Sequence, residues 1–160
     1  MNTLRMTWVD GAVPHHLAVT QVYGYCFDDE GRVLLIQDAE DRFGLPGGKP
    51  EGHETYEETL RREVIEEAQI ILGDIKLCGY QLVEGDRSRM NGAPYAQVRT
   101  VARIISILPA AQDPATGWTY RRVVCPPAFV PDLLQWNRAA GTLQMTAAFR
   151  LARRTWGFPL

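Results

Sequence analysis

"LPGGKPEGHETYEETLRREVIEEAQI" occupies Leu45–Ile70 and decides the fold. It begins with a Pro/Gly-rich loop and continues into a segment that carries seven glutamates in all. Thr55 followed three residues later by Glu58 is a capping-box pattern, so a helix is predicted from about Thr55 to Ala68. At about 100° per residue, Glu63 and Glu67 share the arc of Tyr56, Leu60 and Val64, the apolar stripe, and Glu66 flanks it. Carboxylates placed there without partners are costly, and like charges at i, i+3 and i, i+4 repel. Arg62 can serve one of them through its i, i+4 relation to Glu66. A hard divalent cation can serve all three, and an oxygen-only donor set suits Mg2+ or Mn2+. The alternative is a solvated acidic helix laced by pairs such as Glu58–Arg62. The glycines of the preceding loop favour the cation, because bare backbone lets the chain approach a metal or a phosphate closely.

Working outward, "HLAVTQVYGYCFD" and "RVLLIQD" flank the turn "DEG" and predict a hairpin over about His16–Asp38. "DRFGLPGGKPEG" is a loop. Strands are predicted over about Ile75–Val83 and Tyr95–Leu108, with a polar loop, "EGDRSRMNGA", between them. "YRRVVCP" reads as a short strand. Pro131 suits the first turn of a helix over "PDLLQWNRAA". Met145, Ala148, Phe149, Ala152 and Trp156 recur at helical spacing and predict a terminal amphipathic helix. Strands alternating with helices argue for an α/β sandwich.

The chain has 160 residues, 46% of them hydrophobic and 22% charged, which fits one domain over 1–160 with a sizeable core. The N-terminal stretch has no apolar core of a secretory signal, and "VARIISILPAA" is interrupted by Arg103 and Pro109, too short to span a membrane. Cys26, Cys78 and Cys125 are widely spaced and odd in number, which argues against a disulfide framework or structural zinc and for buried thiols in a reducing cytoplasm. The net charge of −2 conceals an asymmetry: residues 1–85 hold 16 acids and 7 bases, residues 86–160 hold 3 acids and 10 arginines. That pattern fits an acidic metal-holding wall beside an arginine-lined wall for an anionic ligand. No Lys/Arg-rich run marks a nucleic-acid footprint.

The segment resembles the Nudix box, G-x5-E-x7-R-E-U-x-E-E-x-G-U, where U is a bulky aliphatic. Gly48, Glu54, Arg62, Glu63, Val64, Glu66, Glu67 and Ile70 are in register; Gln69 replaces the last glycine. That glycine would end the helix in a left-handed conformation, which Gln adopts at a cost of about 1 kcal/mol.

The resemblance implies an α/β/α Nudix sandwich with a mixed sheet. It implies a Mg2+- or Mn2+-dependent pyrophosphohydrolase acting on a nucleoside diphosphate linked to another moiety. Nucleotide sugars, nucleoside triphosphates and dinucleotides all remain open. The alternative is a catalytically silent Nudix-fold nucleotide-binding or regulatory module. Carried over residue by residue, Glu66, Glu67 and the Gly47 carbonyl look like metal ligands. Glu63 is a ligand or the base that activates water, and Arg62 orients a glutamate. Gly48 and Glu54 shape the loop, with Glu54 bracing it against the helix.

Candidate phosphate-holding residues are Arg87, Arg89, Arg99 and Arg103, with Arg121 and Arg122 behind them. Candidates for an additional acid are Glu84 and Asp113. Tyr23, Tyr25, Phe43, Tyr80, Tyr95 and Trp118 are the aromatics on which a base could stack. Subfamily markers downstream of the box are missing: Gly85 stands where ADP-sugar hydrolases tend to carry proline. The family also includes homodimers, although nothing in this sequence shows one.

Overall fold

The computed structural model of the protein describes residues 3–135 and 138–158. Its centre is a mixed eight-stranded sheet. The strands are β1 (Arg5–Asp10), β2 (Ala18–Phe27), β3 (Val33–Gln37), β4 (Phe43–Gly44), β5 (Gly47–Gly48), β6 (Ile70–Glu84), β7 (Tyr95–Ile107) and β8 (Arg121–Cys125). The main path runs β1-β6-β7-β2-β3-β4, with β5 on β2 and β8 on β3. The β2–β7 pair is parallel and the other pairs are antiparallel.

Alternation along β2 sets the two layers. Val22 and Cys26 face one side, where helix α1 (Tyr56–Ala68) lays Leu60, Val64 and Ala68 on them. Tyr25 and Phe27 face the other, where helix α3 (Arg138–Trp156) contributes Met145, Ala148 and Ala152. The predicted sandwich is therefore present, with a core on each face of the sheet. Gly24 lets α1 approach: a Cβ there would lie 2.8 Å from Leu60 Cδ1. Among the described residues no helix is long and apolar enough to cross a membrane.

Several elements differ from those the sequence predicts: β4 and β5 lie within the stretch predicted as a loop, and β6 starts at Ile70 rather than near Ile75. β1 is not among the predicted strands: RMTWVD is short and exposed along much of its length, and the alternation of Arg5–Trp8 stops at Val9. The His16–Asp38 hairpin exists only at its tip, where Cys26 pairs with Leu34 and Phe27 with Val33. Further back, β2 pairs with β5 instead, Val22 opposite Gly48 and Tyr23 opposite Gly47. The helix predicted over 131–140 is helix α2 (Val130–Leu134), ended by Gln135 at φ 55°. Residues 136 and 137 of that prediction lie outside the described residues, and α3 starts at Arg138.

The turns on either side of β3 use one device twice. Asp28 and Asp38 each accept from the backbone N–H groups two and four residues on, and each pairs with the arginine four residues on, Arg32 and Arg42. These Asx-type turns hold both ends of β3 in place.

Candidate active site

Helix α1 starts where its capping box predicts. The Thr55 hydroxyl accepts from the Glu58 N–H at 3.2 Å and donates to the Glu58 carboxylate. At the other end Gln69 stands at φ 52°, ψ 47°, the left-handed conformation for which the family pattern supplies glycine. The last turn of α1 carries no basic residue. The cation comes instead from β8: Arg122 donates to the Ala68 carbonyl at 3.3 Å and to the Leu108 carbonyl. Arg122 is thus committed to the negative end of the helix dipole and is not available to a phosphate.

Arg62 ties the loop before α1 to its middle. Its Nε and Nη2 grip the two oxygens of Glu54 at 2.8 and 2.9 Å, a bidentate fork. Nη2 also donates to the Lys49 carbonyl at 3.0 Å, and Nη1 donates to Glu63 Oε1 at 2.8 Å. That hydrogen bonding, helped by the N–H of Glu51, holds the Glu54 carboxyl down at about 2. The same bonding to Glu54 raises the Arg62 guanidinium further above its ordinary value.

Glu67 has a different environment. Burial pushes its carboxyl up to about 8, and the charges of Glu63, Asp113 and Glu66 add to the rise. The Gly47 N–H, 2.9 Å from Glu67 Oε1, works against it. Glu63 is also raised, mainly by burial, with Arg62 opposing and Glu66 and Asp113 assisting. The two glycines before the loop leave this space open. Gly47 sits at φ 149° and a Cβ there would lie 2.1 Å from the Val22 carbonyl oxygen. A Cβ on Gly48 would lie 2.5 Å from Glu63 Oε1.

Among the described residues no group of three His, Cys, Asp or Glu side chains is drawn into a closed metal cage. Glu67 is turned onto Gly47 N–H and Glu63 onto Arg62. The donor set nonetheless fits a hard divalent cation. Four carboxylates, Glu63, Glu66, Glu67 and Asp113, influence one another, and the one arginine bonded among them is engaged by Glu54 and Glu63. Such an excess of partly buried negative charge is relieved by a cation or by protonation, and it is what raises Glu67, together with its burial.

Of the two extra acids considered, only Asp113 reaches this cluster. It is 4% exposed, in a turn closed by Asp113 N–H to the Trp118 carbonyl and Gly117 N–H to the Asp113 carbonyl. Its charge is felt at Glu63, Glu67 and Tyr120. Glu84 lies at the end of β6 and pairs with Arg5 of β1 at 2.9 Å.

The arginines scatter. Burial raises the Tyr23 hydroxyl, and Arg99 and, more weakly, Arg89 work against that rise. Arg87 is exposed in the same 84–94 loop, and Arg121 is exposed on β8. Arg103 is held 2.6 Å from Asp29 and lies over the Phe158 ring. Arg99 is 2% exposed and stacks 4.9 Å from the Tyr23 ring centroid, among glutamines that the sequence reading did not single out. Their signal in the sequence was polar residues at inward positions of β2, β6 and β7. It becomes visible only once strand register is known.

Of the aromatics, Tyr25 and Tyr80 are core, and Trp118 is half exposed with its ring edge-on to Tyr120.

Among solved structures, the fold is similar to that of a Bacillus subtilis pyrophosphohydrolase, BsRppH, at 19% identity, with 94% of this chain and 92% of that one covered and a TM-score of 0.71. It is similar to a Nudix hydrolase from Nitrosomonas europaea at 19% identity, covering 84% and 90%, with a TM-score of 0.63. A UDP-X diphosphatase matches at 14% identity over 88% and 67%, with a TM-score of 0.58. Identities this low speak to the fold alone. A sequence search among curated proteins finds no match. The Nudix domain model matches residues 18–113, more than half of the chain and the whole acidic helix with its glycine loop. On that match, together with the capped helix and the arginine-braced loop, the chain belongs to the Nudix family of hydrolases.

Proposed function

We propose that the protein is a pyrophosphohydrolase dependent on Mg2+ or Mn2+, and that it cleaves a nucleoside diphosphate linked to another moiety. One observation carries the reading: four mutually repelling carboxylates gather at the glycine loop, and the single arginine among them is already engaged. Glu66, Glu67 and the Gly47 carbonyl are the residues that would hold the cation, with Asp113 facing them from its turn. When bound, the cation supplies charge neutralisation on the phosphates and makes water more acidic.

The chain's own residues do the rest. Glu63, oriented by Arg62, takes the proton from the attacking water. The bidentate Arg62–Glu54 fork fixes the loop that carries Gly47, so the ligand carbonyl and the glutamates keep their relative positions. Arg89, near Tyr23, is the arginine best placed to hold a non-reacting phosphate.

The test is phosphate release from a panel of nucleoside diphosphate derivatives and triphosphates, with and without Mg2+, beside Glu67→Gln and Asp113→Asn. Turnover should need metal and fall by about 10²-fold or more in Glu67→Gln. Metal-independent turnover, or full activity in Glu67→Gln, would overturn the proposal.

A further inference from the structure

The segment that carries Asp113 has little to hold it in place. Of residues 108–119 only Asp113 is not exposed. Its turn is closed from within. Asp113 N–H donates to the Trp118 carbonyl at 2.7 Å, Gly117 N–H to the Asp113 carbonyl at 2.7 Å, and Ala115 N–H to Asp113 Oδ1 at 2.9 Å. Those bonds shape the turn but do not fix where it stands relative to α1. A loop with so few buried contacts keeps one place only if its ends are tied.

Both ends meet at Arg122. The side chain leaves β8, where the loop ends, from a position opposite Ile36 of β3. Its Nη1 donates to the carbonyl of Leu108, where the loop begins, and to the carbonyl of Ala68, the last residue of α1. The Leu108 N–H donates in turn to the Gln69 carbonyl at 2.8 Å. One nitrogen therefore joins the two ends of the loop to the C-terminal end of the acidic helix. Capping the helix accounts for the bond to Ala68 and leaves the bond to Leu108 unexplained.

What this junction aligns is the acidic cluster. The charge of Asp113 is felt at Glu63 and Glu67, and Glu67 directly precedes Ala68. Arg61 provides a comparison. It fastens α1 to β6 through the Leu72 and Gly73 carbonyls at 2.8 and 2.9 Å, with the same chemistry, yet neither carbonyl belongs to the loop.

We propose that Arg122 is a positioning residue of the cation site: it ties the neck of the 108–120 loop to the end of α1 and so sets Asp113 against Glu63 and Glu67. The inference rests on the hydrolase reading above. Arg122 touches neither cation nor substrate, and its effect passes through Asp113.

The test is Mn2+ binding by calorimetry, which needs no turnover. It compares wild type, Arg122→Gln, Asp113→Asn and the double variant, with thermal melts beside each. Arg122→Gln and Asp113→Asn should each weaken Mn2+ binding by about tenfold. The double variant should bind within about twofold of Asp113→Asn alone, because the two residues act as one unit. Arg122→Lys should stay within about threefold of wild type, since both bonds leave from one nitrogen that an ammonium can replace. Arg61→Gln should lower Tm and leave Mn2+ affinity unchanged. If Arg122→Gln fails to fold, Arg122→Met, which keeps the aliphatic stem, takes its place. Wild-type Mn2+ affinity in Arg122→Gln overturns the inference and leaves the hydrolase reading standing. Additive losses in the double variant, or an equal loss in Arg61→Gln, do the same. A wild-type protein that binds no Mn2+ overturns the hydrolase reading, and this inference with it.

Discussion

Gln69 offers a clean measurement of backbone strain at the end of the acidic helix. It holds φ 52°, ψ 47°, and its N–H bonds back to the Ile65 and Val64 carbonyls to close the last turn. Its side chain contributes little on balance. Nε2 donates to the Glu66 carbonyl at 3.1 Å, a gain of about 1 kcal/mol, but Oε1 is buried without a partner, a loss of similar size. The remaining term is the conformation.

A residue with a Cβ is about 1–2 kcal/mol worse than glycine there, and glycine returns about 0.4–1 kcal/mol of that through its freer unfolded chain. Gln69→Gly should therefore exceed Gln69→Ala in stability by about 1 kcal/mol, about 2–4 °C in Tm for a chain of this size. Both variants lose the same side-chain hydrogen bond, so their difference isolates the backbone. The assay is urea unfolding followed by circular dichroism, checked by thermal melts, with turnover measured beside it. Activity should match wild type in Gln69→Gly, since no proposed ligand changes. Equal stability of the two variants, or a more stable alanine variant, would refute the strain argument.

Gly47→Ala should be far less tolerated than a change at an exposed turn glycine. The Cβ meets the Val22 carbonyl oxygen at 2.1 Å with φ at 149°, so a loss of about 3 kcal/mol, or about 6–12 °C in Tm, is expected in a melt. The Glu54 carboxyl, held at about 2 by Arg62, should make stability depend on acid. Its folded pKa lies below the ordinary value near about 4.3. The contribution is then complete above that value and is lost as pH falls through it toward about 2. Denaturation midpoints between pH 5 and 2.5 should decline less steeply in Glu54→Gln than in wild type. Cys26 and Cys78 have thiols pushed up to about 12 by burial, and Cys125 is raised by the same cause. A thiol reagent at pH 8 should find none of them promptly in the native protein and all three after unfolding.

The acidic helix was legible in the chain because its determinants are local. Thr55 and Glu58 cap it, the 3.6-residue period places Leu60 and Val64 on one stripe, and the out-of-place Glu63 and Glu67 announce chemistry on that stripe. The left-handed end at Gln69 was expected only from the glycine of the Nudix pattern, since glutamine itself carries no local signal for a positive φ. Most strands were legible too, since β-branched and aromatic runs bounded by turns need no partner to be recognised. β1 was not, because an exposed strand owes its existence to the neighbour it pairs with, here Glu84 to Gly79 of β6.

Only the tertiary structure decided which distant residues meet. It sets Asp113 beside the glutamates and Glu84 beside Arg5, although both are lone acids beyond the helix in the chain. It assigns Arg122 to the helix end and Arg103 to Asp29, although both read as phosphate candidates. It lines up Gln21, Gln81 and Gln97, which come from three separate stretches of the chain, through strand register alone. Local torsions and side-chain periods are written along the chain, whereas register and packing depend on contacts between segments far apart in it. A one-residue slip in β6 would turn Gln81 to the opposite face of the sheet, and one in β7 would turn Gln97.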